Sequence, residues 1–125
     1  MALFYEILAE LNASAQKYLP ANKYEKIRLG VEYLHEHYLQ TEIDYYAPAA
    51  LCNISYSYFK RLFIEKYSIP PVQYVQNLRL ERAVELLSTK QYRISEIACT
   101  CGFESEYYFS RIFKKRYGIA PSRYL

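Results

Sequence analysis

Residues 51–75 of this chain, LCNISYSYFKRLFIEKYSIPPVQYV, return fifty positions later as residues 101–125, CGFESEYYFSRIFKKRYGIAPSRYL. Nine of the 25 aligned positions are identical: Ser55/Ser105, Tyr58/Tyr108, Phe59/Phe109, Arg61/Arg111, Phe63/Phe113, Tyr67/Tyr117, Ile69/Ile119, Pro71/Pro121 and Tyr74/Tyr124. Such a repeat constrains the fold before any single residue is weighed, because each copy must build the same supersecondary unit. Two copies are too few for a solenoid. They imply two equivalent units, each carrying an arginine at the same place.

The periodicity within each copy is helical. In the first, residues 46–52 form a short helix that tolerates Pro48 in its first turn. Asn53 supplies a tight turn, since Asn enters the left-handed region at little cost. Ser55 is a natural N-cap for a helix over 56–67, in which Phe59, Leu62 and Phe63 point inward and Ser57, Lys60, Arg61 and Ile64 outward. The second copy repeats the scheme: a short helix over 94–101, a turn at Gly102, a cap at Ser105 and a helix over 106–117. There Phe109, Ile112 and Phe113 point inward and Ser110, Arg111, Lys114 and Lys115 outward. Gly118 ends the helix in a left-handed cap, and Pro121 opens a last turn.

Between the copies, Pro70-Pro71 stops one helix and starts a linker helix over 71–87, about 25 Å long. Its expected buried positions are Val75, Leu78, Ala83, Leu86 and Leu87. Upstream, Ile27, Val31, Leu34 and Tyr38 mark one face of a helix over 23–39. Residues 3–17 read as an amphipathic helix with Leu3, Phe4, Ile7, Leu8 and Leu11 on one side. Glu6 and Glu10 interrupt that apolar face and no basic segment precedes it, so it is expected to be neither a signal peptide nor a membrane span. A short helix, a turn and a second helix with a polar outer face is a helix-turn-helix. The expected fold is therefore all-α: two helix-turn-helix subdomains, homeodomain-like three-helix units, joined by a long linker helix. The divisions are an N-terminal helix over 1–20, a first subdomain over 21–70, the linker over 71–87 and a second subdomain over 88–125.

The formal charge is only +3, but it is unevenly placed. Residues 1–50 carry 4 basic and 7 acidic side chains, whereas residues 51–125 carry 12 and 6. The repeats thus occupy the basic part, as a phosphate-binding footprint requires and as an ordinary solvated surface also allows. Two units on a rigid connection suit a partner that itself repeats, and duplex DNA is one. The three cysteines, Cys52, Cys99 and Cys101, complete no zinc pattern with a histidine and read as small, partly buried residues of a reducing compartment, so no metal or cofactor is expected. No nucleophile–histidine–carboxylate set and no glycine-rich phosphate loop points to an enzyme. His35 and His37 lie on different faces of one helix and read as surface residues.

The second copy closely resembles the second helix-turn-helix of the AraC/XylS family of bacterial transcription activators. The motifs that carry the resemblance are Ile97-Ala98, Gly102-Phe103, Tyr108-Phe109-Ser110-Arg111, Phe113-Lys114-Lys115, Gly118 and Pro121-Ser122. In the linker, Arg79, Ala83, Leu86 and Leu87 match the family's R-x-x-x-A-x-x-L-L pattern. The resemblance extends over residues 24–125. The first unit departs from it: Pro48 replaces a large aliphatic residue, Ser68 replaces the cap glycine, and Ile64 and Glu65 stand where the second unit has Lys114 and Lys115. These departures put in question how strongly the first unit holds a phosphate backbone.

The resemblance implies sequence-specific double-stranded DNA binding, with each recognition helix in a major groove. Base-contacting positions carried over are Tyr56, Ser57, Lys60 and Arg61 in the first unit and Glu106, Tyr107, Ser110 and Arg111 in the second. Arg111 can pair with a guanine edge, Tyr107 can pack on a thymine methyl, and Glu106 can accept from cytosine or simply complement its helix dipole. A salt bridge to a neighbouring helix is the competing role for Arg61 and Arg111. Tyr58 and Tyr108 are expected to pack. Lys114, Lys115 and Arg116 suit phosphate contact. The two faces differ, so the expected site is asymmetric, about two helical turns long, and bent if the reading helices lie closer than about 34 Å.

The resemblance further implies a cytoplasmic regulator, with activation its usual mode, contact with RNA polymerase, and dimerisation only through a separate N-terminal domain. On this reading the chain is the C-terminal fragment of a larger ligand-responsive regulator, although a complete small activator fits the same residues. The alternative function is a helical adaptor whose basic faces meet an acidic protein and do not read DNA.

Overall fold

The computed structural model describes residues 23–124, and every described element is helical. A 3-10 turn at Glu25–Ile27 leads into α1 (Arg28–His37). There follow α2 (Ala47–Leu51), α3 (Tyr56–Tyr67), α4 (Pro71–Thr89), α5 (Ile94–Thr100) and α6 (Glu106–Tyr117), with a closing 3-10 turn at Pro121–Arg123. The amphipathic helix expected over residues 3–17 lies outside the described residues.

Turn chemistry places the boundaries. Asn53 (φ 58°) and Gly102 (φ 89°) take the left-handed conformation between the two helices of each pair. Pro70 is extended and Pro71 begins α4, as a ring with fixed φ and no N–H allows in a first turn. α4 runs two residues beyond the expected Leu87, because the Ser88 and Thr89 hydroxyls bond back to carbonyls of the preceding turn and Lys90 (φ 57°) supplies the left-handed stop. In contrast, the expected 23–39 helix is interrupted by the 3-10 turn at Glu25–Ile27 and ends at His37.

Two cores result, with α4 in both. Ile27, Val31, Leu34, Ala49, Phe59, Leu62 and Phe63 close around Val75, while Leu80, Ala83 and Leu87 pack with Ile97, Ala98, Cys101, Phe103, Phe109 and Phe113. The expected burial of Leu78 and Leu86 is corrected: both are only partly buried, Leu86 against the edge of the second core, while Leu80, not among the expected positions, is fully buried. The five-residue step from Val75 to Leu80 turns the helix by about 140°, so one helix serves two cores on different sides.

The sequence repeat is also a repeat of packing. Phe63 meets Tyr67 and Phe113 meets Tyr117 at the same 4.6 Å between ring centres. Tyr74 stands edge-on to Phe63 at 85°, and Tyr124 to Phe113 at 86°. Edge-to-face pairs of this kind add to area burial because the positive ring edge meets the negative face.

Candidate nucleic-acid interface

Each candidate recognition helix starts on a serine. The Ser55 Oγ accepts from the Tyr58 backbone N–H at 3.1 Å, and the Ser105 Oγ from that of Tyr108 at 3.0 Å. Each cap satisfies a donor the helix cannot satisfy internally and fixes where the outer face begins. Both helices are 12 residues long and end on a left-handed residue, Ser68 (φ 72°) or Gly118 (φ 86°).

The outer faces carry the expected residues with two differences of degree. Ser57, Lys60 and Arg61 are exposed on α3, and Glu106, Tyr107 and Arg111 on α6. Tyr107 is 77% exposed, more than any packing role accounts for. Tyr56 is half-buried, its ring 4.7 Å from that of Tyr46, and Ser110 is also half-buried.

Arg61 and Arg111 are held alike. Each guanidinium lies over the tyrosine three residues earlier, 5.0 Å from the Tyr58 ring centre and 5.4 Å from that of Tyr108. A ring face attracts the cation without occupying its in-plane donors. Among the described residues neither arginine pairs with a carboxylate, and neither do Lys60, Lys114, Lys115 or Arg116. The salt bridge that competes with base reading is thus not formed among the described residues. The tyrosines pack as expected, with their hydroxyls accepting from Lys26 and Gln76.

The basic ends of the two helices differ. Lys114 follows Tyr107 and Arg111 along one stripe, at the i+7 and i+3 spacings of a helix face. Lys115 and Arg116 face sideways into a groove of about 230 Å³ between α4 and α6, lined also by Gln73, Gln76, Asn77, Leu80 and Ile112. The first unit has Ile64 and Glu65 in the places of Lys114 and Lys115, and Glu65 pairs with Lys23 at 2.9 Å. The first flank therefore keeps one cation, Lys66, without a described carboxylate partner, where the second keeps three. The groove's amide side chains escaped sequence reasoning because they sit on the linker, Gln76 and Asn77 beyond the repeated segment and Gln73 at a position where the second copy has Arg123. No three His, Cys, Asp or Glu of the described residues are grouped to hold a metal ion, and no described helix is long and apolar enough to cross a membrane.

The profile of a helix-turn-helix domain family matches residues 49–125. A Chromobacterium violaceum structure described as a transcriptional regulator with an AraC-type DNA-binding domain is 28% identical, with a TM-score of 0.70 over 82% of this chain and 90% of that one. The chain belongs to the AraC/XylS family. Among its relatives, the probable transcriptional regulator LumQ of Photobacterium leiognathi is 36% identical over 92 residues, 74% of this chain and 37% of that protein. The raffinose operon transcriptional regulatory protein RafR of Pediococcus pentosaceus is 33% identical over 122 residues, 98% of this chain and 43% of that protein. The chain thus spans less than half the length of these AraC/XylS relatives. The DNA-binding domain of AdpA, solved in complex with a target DNA, is 28% identical with a TM-score of 0.72, covering 79% of this chain and 88% of that one.

Proposed function

We propose that this AraC/XylS chain binds double-stranded DNA sequence-specifically, with α3 and α6 in successive major grooves, and so regulates bacterial transcription. The observation that carries the reading is the pair Arg61 and Arg111: two arginines at equivalent places on two capped helices, each seated on a tyrosine and free of any described carboxylate. Arg111 reads a guanine edge, Tyr107 packs on a thymine methyl, and Ser57, Lys60 and Arg61 read the other box. Glu106 and Ser110 border the second reading surface. Tyr56, packed on Tyr46, presents only one edge. Lys114 holds phosphate beside the bases, and Lys115 and Arg116 hold it from the side of the linker.

The similarity to the AdpA domain, solved in complex with a target DNA, supports the DNA-binding reading. Activation in the cytoplasm, through contact with RNA polymerase, extends the reading and draws on the activator RhaS of Escherichia coli, 27% identical over 119 residues. Any dimerisation is assigned to parts of the regulator outside this chain.

Selection of sites from a randomised duplex pool at low salt, with Arg111→Ala run in parallel, tests the proposal. The expected result is an asymmetric two-box motif in which the variant relaxes one box. A folded protein that enriches nothing, or a strictly palindromic optimum, overturns it in favour of a protein-binding adaptor or a different geometry.

A further inference from the structure

Arg79 stands in the middle of α4, between Val75 of the first core and Leu80 of the second. Its side chain leaves the helix that both units share and reaches back to the end of α1. The Nε–H donates to the Tyr38 carbonyl at 2.6 Å, and an Nη–H donates to the Gln40 carbonyl. No described carboxylate pairs with the guanidinium; the negative end of the α1 dipole faces it, and Glu104 supports the charge only from a distance. Burial disfavours the guanidinium charge, and the group stays charged because an arginine starts far above neutrality.

The carbonyl between those two is closely approached by the other unit. A Cβ on Gly102 would lie 2.8 Å from the Leu39 oxygen and 3.0 Å from the Arg79 Nε. The turn of the second helix-turn-helix therefore sits directly against the end of α1 and the guanidinium that grips it. Three residues after Gly102, Ser105 starts α6. The end of α1, the middle of α4 and the start of the second unit's reading helix thus meet at one side chain.

We infer that Arg79 is a positioning residue: it locks the two units at one relative angle and thereby fixes the spacing of the two DNA boxes that the chain accepts. The second half of this statement rests on the DNA-reading proposal; the first half does not. A helix shared by two cores does not by itself hold them in register, because each unit can still tilt against its own side of α4. A planar fork with several donors in fixed directions opposes that tilt. A lysine places one charge at the end of a flexible stem and cannot span two carbonyls in the same way.

Residual dipolar couplings of the chain in the absence of DNA test the lock. In the wild type, couplings from α1–α3 and from α5–α6 should fit one alignment tensor. In Arg79→Gln and Arg79→Lys, each block should still fit its own tensor while the two blocks cease to share one. Arg79→Lys keeps the charge and the stem, and it carries the comparison if Arg79→Gln does not fold.

A second arm uses duplexes bearing both boxes with one base pair inserted between them, which rotates one box relative to the other by about 34°. The insertion should lower wild-type affinity about tenfold, comparable to a mismatched pair, and lower that of Arg79→Lys less than about threefold. A common tensor retained by the folded variants, or separate tensors in the wild type, overturns the lock. A lock that holds in a protein that reads no DNA leaves the positioning role intact and removes only its consequence for box spacing.

Discussion

The Arg111 guanidinium rests over the Tyr108 ring, 5.4 Å from its centre. Both residues belong to α6, one turn apart, so the helix carries its own support for the arginine. The ring limits the rotamers of a long side chain without consuming its hydrogen-bond donors, which lowers the entropy cost of docking on a base edge.

Replacing Arg111 with alanine is therefore expected to cost about 1–3 kcal/mol of discrimination at one base pair of the second box, leaving the first box unchanged. Competition binding against duplexes substituted at each position measures this. A loss spread evenly over all positions would assign Arg111 to the phosphate backbone.

Lys114 shares the stripe of Arg111 and has no described carboxylate partner. Its replacement by alanine should weaken all duplexes alike and reduce the salt slope of binding by about one. Lys66, in the last turn of α3, also has no described carboxylate partner, and Lys66→Glu should likewise weaken all duplexes. Fluorescence titration across a salt series checks both.

The two left-handed caps should respond in opposite directions. Gly118 has φ 86° and open space where a Cβ would stand, so Gly118→Ala costs only backbone strain, roughly 1–2 kcal/mol. Ser68 already bears that strain at φ 72°, and Ser68→Gly should stabilise the first unit by about 0.5 kcal/mol after the added freedom of the unfolded chain is counted. Urea denaturation of both variants gives the signs directly.

At Gly30 the limit is space. A Cβ there would lie 2.5 Å from the Phe59 ring and 2.8 Å from the Pro48 carbonyl oxygen. Gly30→Ala should therefore force α1 away from α2 and α3 at a cost of about 1–3 kcal/mol, as overpacking does. Hydrogen exchange should show lost protection in the first unit and unchanged protection around Phe109 and Phe113.

Cys101 and Cys99 should differ sharply toward an alkylating reagent. Cys101 is fully buried and burial pushes its thiol up to about 11, whereas Cys99 is exposed. A thiol raised in the folded state favours folding while it is protonated. That contribution is complete below the ordinary thiol range, near 9, and is lost as pH rises toward 11. Mass spectrometry of briefly alkylated native protein should find Cys99 modified and Cys101 untouched, and stability should fall over that alkaline interval, less steeply once Cys101 is replaced by alanine, since buried tyrosines such as Tyr45 and Tyr67 are also pushed up and contribute the remainder.

Much of the fold is legible in the sequence because its signals are local. Ser55 and Ser105 announce helix starts by the chemistry of a hydroxyl beside a free N–H, and both recognition helices have the expected ends. Asn53, Gly102 and Gly118 mark three of the five positive-φ positions among the described residues, and the spacing of Phe59, Phe63, Phe109 and Phe113 marks the inner faces. The outward placement of Arg61, Lys60, Tyr107 and Arg111 follows from the same periodicity.

Tertiary structure decides what depends on residues far apart in the chain. Helical periodicity on α4 admits Leu78 and Leu86 as readily as Leu80, and only the division of that helix between two cores selects Leu80. The same applies to Tyr56, which packs on Tyr46 across the turn, and to Lys115 and Arg116, which face the linker's amides. Above all, the family pattern marks Arg79 as a motif residue without saying what it holds. Its partners are carbonyls about forty residues upstream, and a backbone carbonyl carries no sequence signature, so only the folded chain brings them to its guanidinium.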